Sequence, residues 1–421
     1  IQLDRVRHLL WVVYPELKPD ILVTPSHQDL QRVAQVALNF LNERIPALPE
    51  DLGLKAYLAT PNDRGWDVKK KLVWLGTKSY LFRLPYLHYM GEEVDESADI
   101  PEIDRTDEFV SMICTRWSGL GAIDVLAATL DLSDERRREL RTWYERHWSA
   151  YQILSADKRG LEALNVVNDE RYYVRMDIAK QPFKKGELVF SSLVPWDGEW
   201  YWSGTQRLVG RSTPEAIEDF KKDIVRTAPQ VVCRYWGQYE EQVRDHMKET
   251  HAAWLAYHGR DLTTYPDGLA MAADWQKEMR EHLASKPAED VEEVLTSHGI
   301  TDGKPKMPVP PELLDCADGI AVFLNPVEGK EIMPGFNLIE SGLRRRGKNL
   351  TEDELHAIRG FIEADAISLT FVRAAAAEHG ANSIREAYFL RDVDSDFALD
   401  YLLRCYKGHF YRKRYPAISL V

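Results

Sequence analysis

Residues 187–210, ELVFSSLVPWDGEWYWSGTQRLVG, decide the fold class. Asp197-Gly198 is the signature of a two-residue hairpin turn. Strand-forming residues flank it: Leu188-Val189-Phe190 and Leu193-Val194 before, Trp200-Tyr201-Trp202 after. Upstream, Tyr172-Tyr173-Val174-Arg175-Met176-Asp177-Ile178 alternates in part, and Lys185-Gly186 marks a turn. Arg207 to Val209 supplies a further strand. Four or five short strands within 166–210 predict a small antiparallel barrel-like module.

Helical patterns surround this module. Ser26 is the expected cap of a helix over 27–44, where Val33, Val36, Ala37 and Phe40 recur at helical spacing. Leu54 to Thr60 reads as a short strand, and 68–87 as either two strands or two short helices. The acidic stretch 91–108 reads as a loop, and 109–154 as helical, with Ser133 capping an arginine-rich helix. After the module, Thr213-Pro214 opens a helix, and further helices are expected over 234–258, 267–285 and 288–297. Proline-rich 301–311 is the expected linker. Beyond it come a strand at 319–324 and helices near 336–346, 351–364, 368–379, 382–390 and 395–412.

The expected fold class is therefore α+β, predominantly helical and multi-module. An N-terminal mixed module spans 1–105, and a helical domain with the β module embedded spans 106–300. The linker at 301–311 precedes a helical C-terminal domain at 312–421.

A length of 421 residues corresponds to roughly 100–200 residues per domain, or two to four domains. Apolar residues at 44% and charged residues at 29% are those of an ordinary globular chain. Lys plus Arg number 54 against 67 Asp plus Glu, a net charge of −13, which argues against a polyanion-binding surface over the whole protein. Cys114, Cys233, Cys316 and Cys405 are widely separated, as expected of reduced thiols in a cytosolic, bacterial-type protein. No apolar run reaches the ~18 residues of a membrane span, and no membrane association is expected.

Several constellations invite a chemical reading. His246, His251 and His258 lie on one helix, but HExxH or ExxH spacing is missing and no metal is expected. Gly119-Leu120-Gly121 followed by Asp124 resembles a dinucleotide turn only loosely, because the carboxylate would compete for the helix amides. Asp392, Asp394 and Asp396 alternate as in a calcium loop, but Phe397 stands where glycine is required. Ser395 or Asp396 is the expected cap of the helix that follows. No cofactor motif is present.

The candidate binding surface is the aromatic cluster with its basic neighbours: Tyr173, Arg175, Trp196, Trp200 and Trp202. Consecutive Trp200, Tyr201 and Trp202 must alternate faces, so at least one is exposed or covered by a neighbouring segment. Arg412 and Arg414 in the C-terminal tail are the second candidate patch, although acids outnumber bases over 312–421. The leading expectation is a non-enzymatic interaction or regulatory protein that meets a protein partner, or its own copy, through this β module. The alternative is a hydrolase or transferase whose site assembles from dispersed residues at a domain junction. A nucleic-acid-associated protein is the weakest of the three.

Overall fold

A computed structural model describes residues 2–18, 22–47, 53–91, 101–113, 119–178, 182–285, 287, 291 and 309–412. The described residues are 58% helical and 17% strand, with a closed five-stranded barrel in the middle of the chain. It divides into two compact units: Ile1–Val243 with Arg404–Val421, and Arg244–Leu403. Residues 301–308 of the expected linker lie outside the described residues.

In the first unit, helices α1 (Leu3–Leu17), α2 (Gln28–Arg44) and α3 (Gly53–Leu58) precede α4 (Gly65–Lys78) and α5 (Arg83–Gly91). Helices α6 (Glu102–Met112), α7 (Ala122–Thr129) and α8 (Asp134–Arg141) lead into the barrel. Its strands are β1 (His147–Ala156), β2 (Gly160–Asn165), β3 (Arg171–Arg175), β4 (Glu187–Trp196) and β5 (Glu199–Arg211). They run in the order β1-β2-β3-β5-β4, and β4 pairs back to β1. All pairings are antiparallel except the closing one, where Val174 of β3 meets Trp200 of β5 in parallel. Asp197 and Gly198 both have positive φ, 53° and 77°, the backbone a type I′ hairpin needs.

Alternation along the strands sorts the side chains into two cores. Tyr151, Ile153, Leu161, Val174, Leu193 and Trp202 fill the barrel. Val194, Trp196 and Tyr201 face outward and pack with α4, α6, α7 and α8. The indole of Trp196 stands edge-on to Trp143 at 5.9 Å, and its Nε1 donates to the Asn62 carbonyl at 2.8 Å.

Several local readings are corrected. The segment 54–60 is not a strand: it carries helix α3. Of the two readings of 68–87, the structure shows helices. The expected loop at 91–108 holds α6, whose Glu102 and Asp104 favour a helix start and whose Phe109 and Val110 are buried; residues 92–100 lie outside the described residues. The helical reading of 109–154 fails beyond Arg146, because β1 begins at His147 and the barrel extends upstream of 166. Helix α2 is capped by His27, whose ring accepts the Asp29 amide, rather than by Ser26. Its Leu30 and Ala34 are the buried residues, while Val33, Val36 and Phe40 are exposed.

After the barrel come α9 (Pro214–Thr227), α10 (Pro229–Tyr235) and α11 (Gly237–His258). The second unit then adds β6 (Leu262–Tyr265), α12 (Gly268–Ala284), α13 (Pro311–Leu314), β7 (Ile320–Asn325) and β8 (Gly329–Pro334). Helices α14 (Phe336–Arg344), α15 (Glu352–Glu363), α16 (Leu369–His379), α17 (Asn382–Ala387) and α18 (Ser395–Tyr406) follow. Strands β6, β7 and β8 form an antiparallel sheet with β7 in the centre, beside the expected C-terminal helices. Every residue of β7 is buried, which is why Ile-Ala-Val-Phe-Leu reads as a continuous apolar run. Ile320, Val322 and Leu324 pack with Trp254 and Trp275, whereas Phe323 stacks on Phe371 at 5.0 Å. Asp394, not Ser395 or Asp396, caps α18: its Oδ1 accepts the amides of Asp396 and Phe397.

A candidate ligand cleft in the second unit

The expected aromatic surface is largely interior. Trp196 and Trp202 are 0% and 4% exposed, one beneath the helices and the other inside the barrel. Trp200 is half-buried, edge-on to Tyr172 at 4.8 Å. Tyr173 is exposed and donates its hydroxyl to Asp157, and Arg175 is held by Asp177 at 2.9 Å and Glu199 at 2.5 Å. Arg412 is not part of a free basic patch. Its guanidinium donates to the carbonyls of Ser111 and Met112 at 3.0 and 2.9 Å and pairs with Asp124 at 3.3 Å. Arg414 lies outside the described residues. The glycine turn at 119–121 is likewise structural. Asp124 Oδ2 accepts the Gly121 amide at 2.8 Å, so a carboxylate already occupies this helix start, and a Cβ on Gly121 would collide with Arg412.

One buried polar cluster in the first unit has the composition of a serine–lysine site. Lys69 donates to Ser203 Oγ at 2.8 Å and ion-pairs with Asp107, which also accepts from Ser203 and faces Arg146 at 3.4 Å. Burial by itself would raise the Asp107 carboxyl, but Lys69, Arg146 and the Ser203 hydroxyl hold it below its ordinary value. Lys69 donates to Ser203 and Ser203 donates to Asp107, so the lysine is not placed to take the hydroxyl proton, and Ser203 is itself 3% exposed. The cluster ties α4 and α6 to β5.

A different arrangement stands in the second unit. Helices α11 and α12 and strands β7 and β8 enclose a cleft of about 640 Å³. Glu249, Ala253, Ala256 and Tyr257 line it at successive helical steps of α11, and Glu278, Glu281 and His282 do so on α12. Leu324 and Lys330 close it from the sheet. Strand alternation fixes the last of these: Lys330 pairs with Leu324 and shares its face, whereas Glu331 points the other way and accepts the Ser368 amide at the start of α16.

Behind the cleft lies a connected set of polar groups. Tyr257 and Tyr265 donate to the two oxygens of Asp274 at 3.0 and 2.9 Å. His258 sits between acids, with Nδ1 3.8 Å from Asp274 and Nε2 3.7 Å from Glu278. Its side chain is 5% exposed, its ring is tilted 41° against Trp254 at 3.8 Å, and its Nε2 has no hydrogen-bond partner. Burial lowers the His258 pKa against the pull of Glu278 and Asp274. Burial, reinforced by Asp274, raises Tyr257 to about 12 and Tyr265 further still. Lys330 is open to the cleft, yet the protein crowded about its ammonium lowers its pKa, and Glu278 opposes that shift. Its Nζ stands over two indoles, 4.4 Å from the Trp275 ring centre and 5.1 Å from that of Trp254.

Sequence reasoning picked out His246, His251 and His258 on this helix as side chains beside its buried face and expected no metal there. Among the described residues no group of three or more His, Cys, Asp and Glu side chains is placed to hold a metal ion. Lys330, Glu278 and Trp275 carried no local signal, because the β-sheet register alone brings residue 330 beside residues 254–282. No protein-family model, no curated protein and no solved structure matches the chain. Among the described residues no helix is long and apolar enough to cross a membrane.

Proposed function

We propose that this is a small-molecule-binding protein of regulatory type whose ligand site is the cleft between α11, α12 and the β7–β8 hairpin. The observation that supports this reading most is the convergence of charged and buried polar groups on one concave cleft. Lys330 and Glu278 face the cleft, and directly behind them the buried His258 has an unused ring nitrogen. Buried polar atoms without partners cost free energy, and proteins retain them where something else uses them. The volume suits a ligand of metabolite size. This reading keeps the regulatory role expected from the sequence but moves it from the β module to the second unit.

The test is a panel of cationic, anionic and neutral fragments, observed by saturation-transfer NMR with the full chain. Ala253 lines the cleft and is exposed, so Ala253→Trp fills the space without entering the core. We expect fragments that bind the wild type and lose their signal in Ala253→Trp. The reading fails if no fragment binds, or if binding is unchanged in a folded Ala253→Trp protein.

A second reading keeps the interaction role of the barrel. Its support is the exposure of Tyr173, Leu208 and Val209, at 42%, 47% and 52%. Leu208→Ser with Val209→Ser should then abolish capture of the partner while circular dichroism is unchanged.

A further inference from the structure

The wall of the cleft is acidic: Glu249, Glu278 and Glu281 line it, and Lys330 is the one Lys or Arg among its lining residues. That lysine forms no ion pair or hydrogen bond with the described residues. Its ammonium is held instead over the faces of Trp254 and Trp275. An ammonium in such a position is attracted by the ring quadrupoles, a recurring way of recognising alkylammonium groups. The two indoles are fixed from behind: Trp254 Nε1 donates to the Arg260 carbonyl at 2.9 Å, and both rings are buried in the core beneath β7. Both indoles are buried, whereas the present occupant of their faces is an exposed, four-carbon side chain on a strand.

We infer that the ligand of this cleft is an organic cation, an alkyl- or quaternary ammonium, whose charged head takes the Trp254–Trp275 station when Lys330 swings out. This rests on the cleft being the ligand site and adds the ligand's class. Lys330 then acts as a built-in competitor. It fills the cation station in the empty protein and must be displaced, which lowers apparent affinity by the fraction of time the station is free. Glu278, 22% exposed at its side chain and backed by His258, is the carboxylate placed to meet the incoming charge.

The probe is benzyltrimethylammonium chloride, titrated calorimetrically into the full-length protein at constant ionic strength. Its neutral carbon analogue, neopentylbenzene, and benzoate serve as controls. We expect the cation to bind about tenfold or more tighter than the neutral analogue. Lys330→Met, which replaces the competing ammonium by a neutral side chain and removes a like charge, should tighten cation binding by about tenfold. Lys330→Arg should leave it near the wild-type value, and Glu278→Gln should weaken it. Equal binding of the cation and the neutral analogue overturns the inference, as does unchanged or weaker cation binding in Lys330→Met. Benzoate binding that is lost in Ala253→Trp, with no cation binding, overturns the ligand class and leaves the cleft as the ligand site. Absence of all binding overturns both.

Discussion

Asp107 and Lys330 are both charged residues, and their surroundings separate them. Each oxygen of Asp107 is engaged, by Lys69, Ser203 or Arg146, in a place where its side chain is 4% exposed. Asp107→Ala would leave two cations facing each other without their shared anion, and urea unfolding should show a loss of about 3–5 kcal/mol. Lys330 is open to the cleft and is held only by ring faces. Lys330→Met should therefore shift stability by no more than about 1 kcal/mol in the same experiment. A large loss in Lys330→Met would make that lysine a structural cation like Lys69 and remove its role as a displaceable occupant. Residue identity alone could not tell these roles apart, because Lys69 and Lys330 differ only in what the fold brings to them.

At the scale of elements, legibility followed how local the determinants are. The Asp197-Gly198 hairpin, the Ser133 and Thr213 caps and the Thr351–Glu354 capping box are set by neighbours in sequence, and the structure shows each of them. Strands β1 and β2 were missed because Ala-Tyr-Gln-Ile-Leu and Leu-Glu-Ala-Leu are good helix formers, overridden by pairing within the closed barrel. Helix α3 was misread in the same way, since a six-residue segment holds too little periodicity to decide. The capping box also sets a pH dependence. Burial would raise the Glu354 carboxyl, but the Thr351 amide, Ser341 and Arg345 bring it from 4.5 down to about 2. A depressed carboxyl contributes stability that is present above its ordinary value and is lost as pH falls toward the folded one. Glu354→Gln should lower the melting temperature at pH 7, and the gap to wild type should close below pH 4.5. A gap that stays constant down to pH 3 would show that the charge of Glu354 is not what stabilises the start of α15.

At the scale of the whole molecule, the chain divides into two compact units. Residues 404–412 belong with the first unit, where Arg412 closes the ends of α6 and α7. Arg412→Ala should raise amide exchange in residues 119–129 and leave β7 and β8 unchanged, as hydrogen-exchange mass spectrometry would show. The hairpin of the β module was legible in the sequence; of the module's tryptophans, Trp196 and Trp202 are buried, Trp200 is half-buried and Trp148 is exposed. The cleft was the least legible, because its walls come from two helices and a hairpin that begins 36 residues after the second of them ends.

The most direct measurement is to follow the indole N–H resonances during titration with benzyltrimethylammonium and with any fragment that binds. The account predicts that the Trp254 and Trp275 signals move with ligand while those of Trp143, Trp196 and Trp202 stay in place. Movement of the barrel indoles with Trp254 and Trp275 unmoved would contradict it and return the function to the β module.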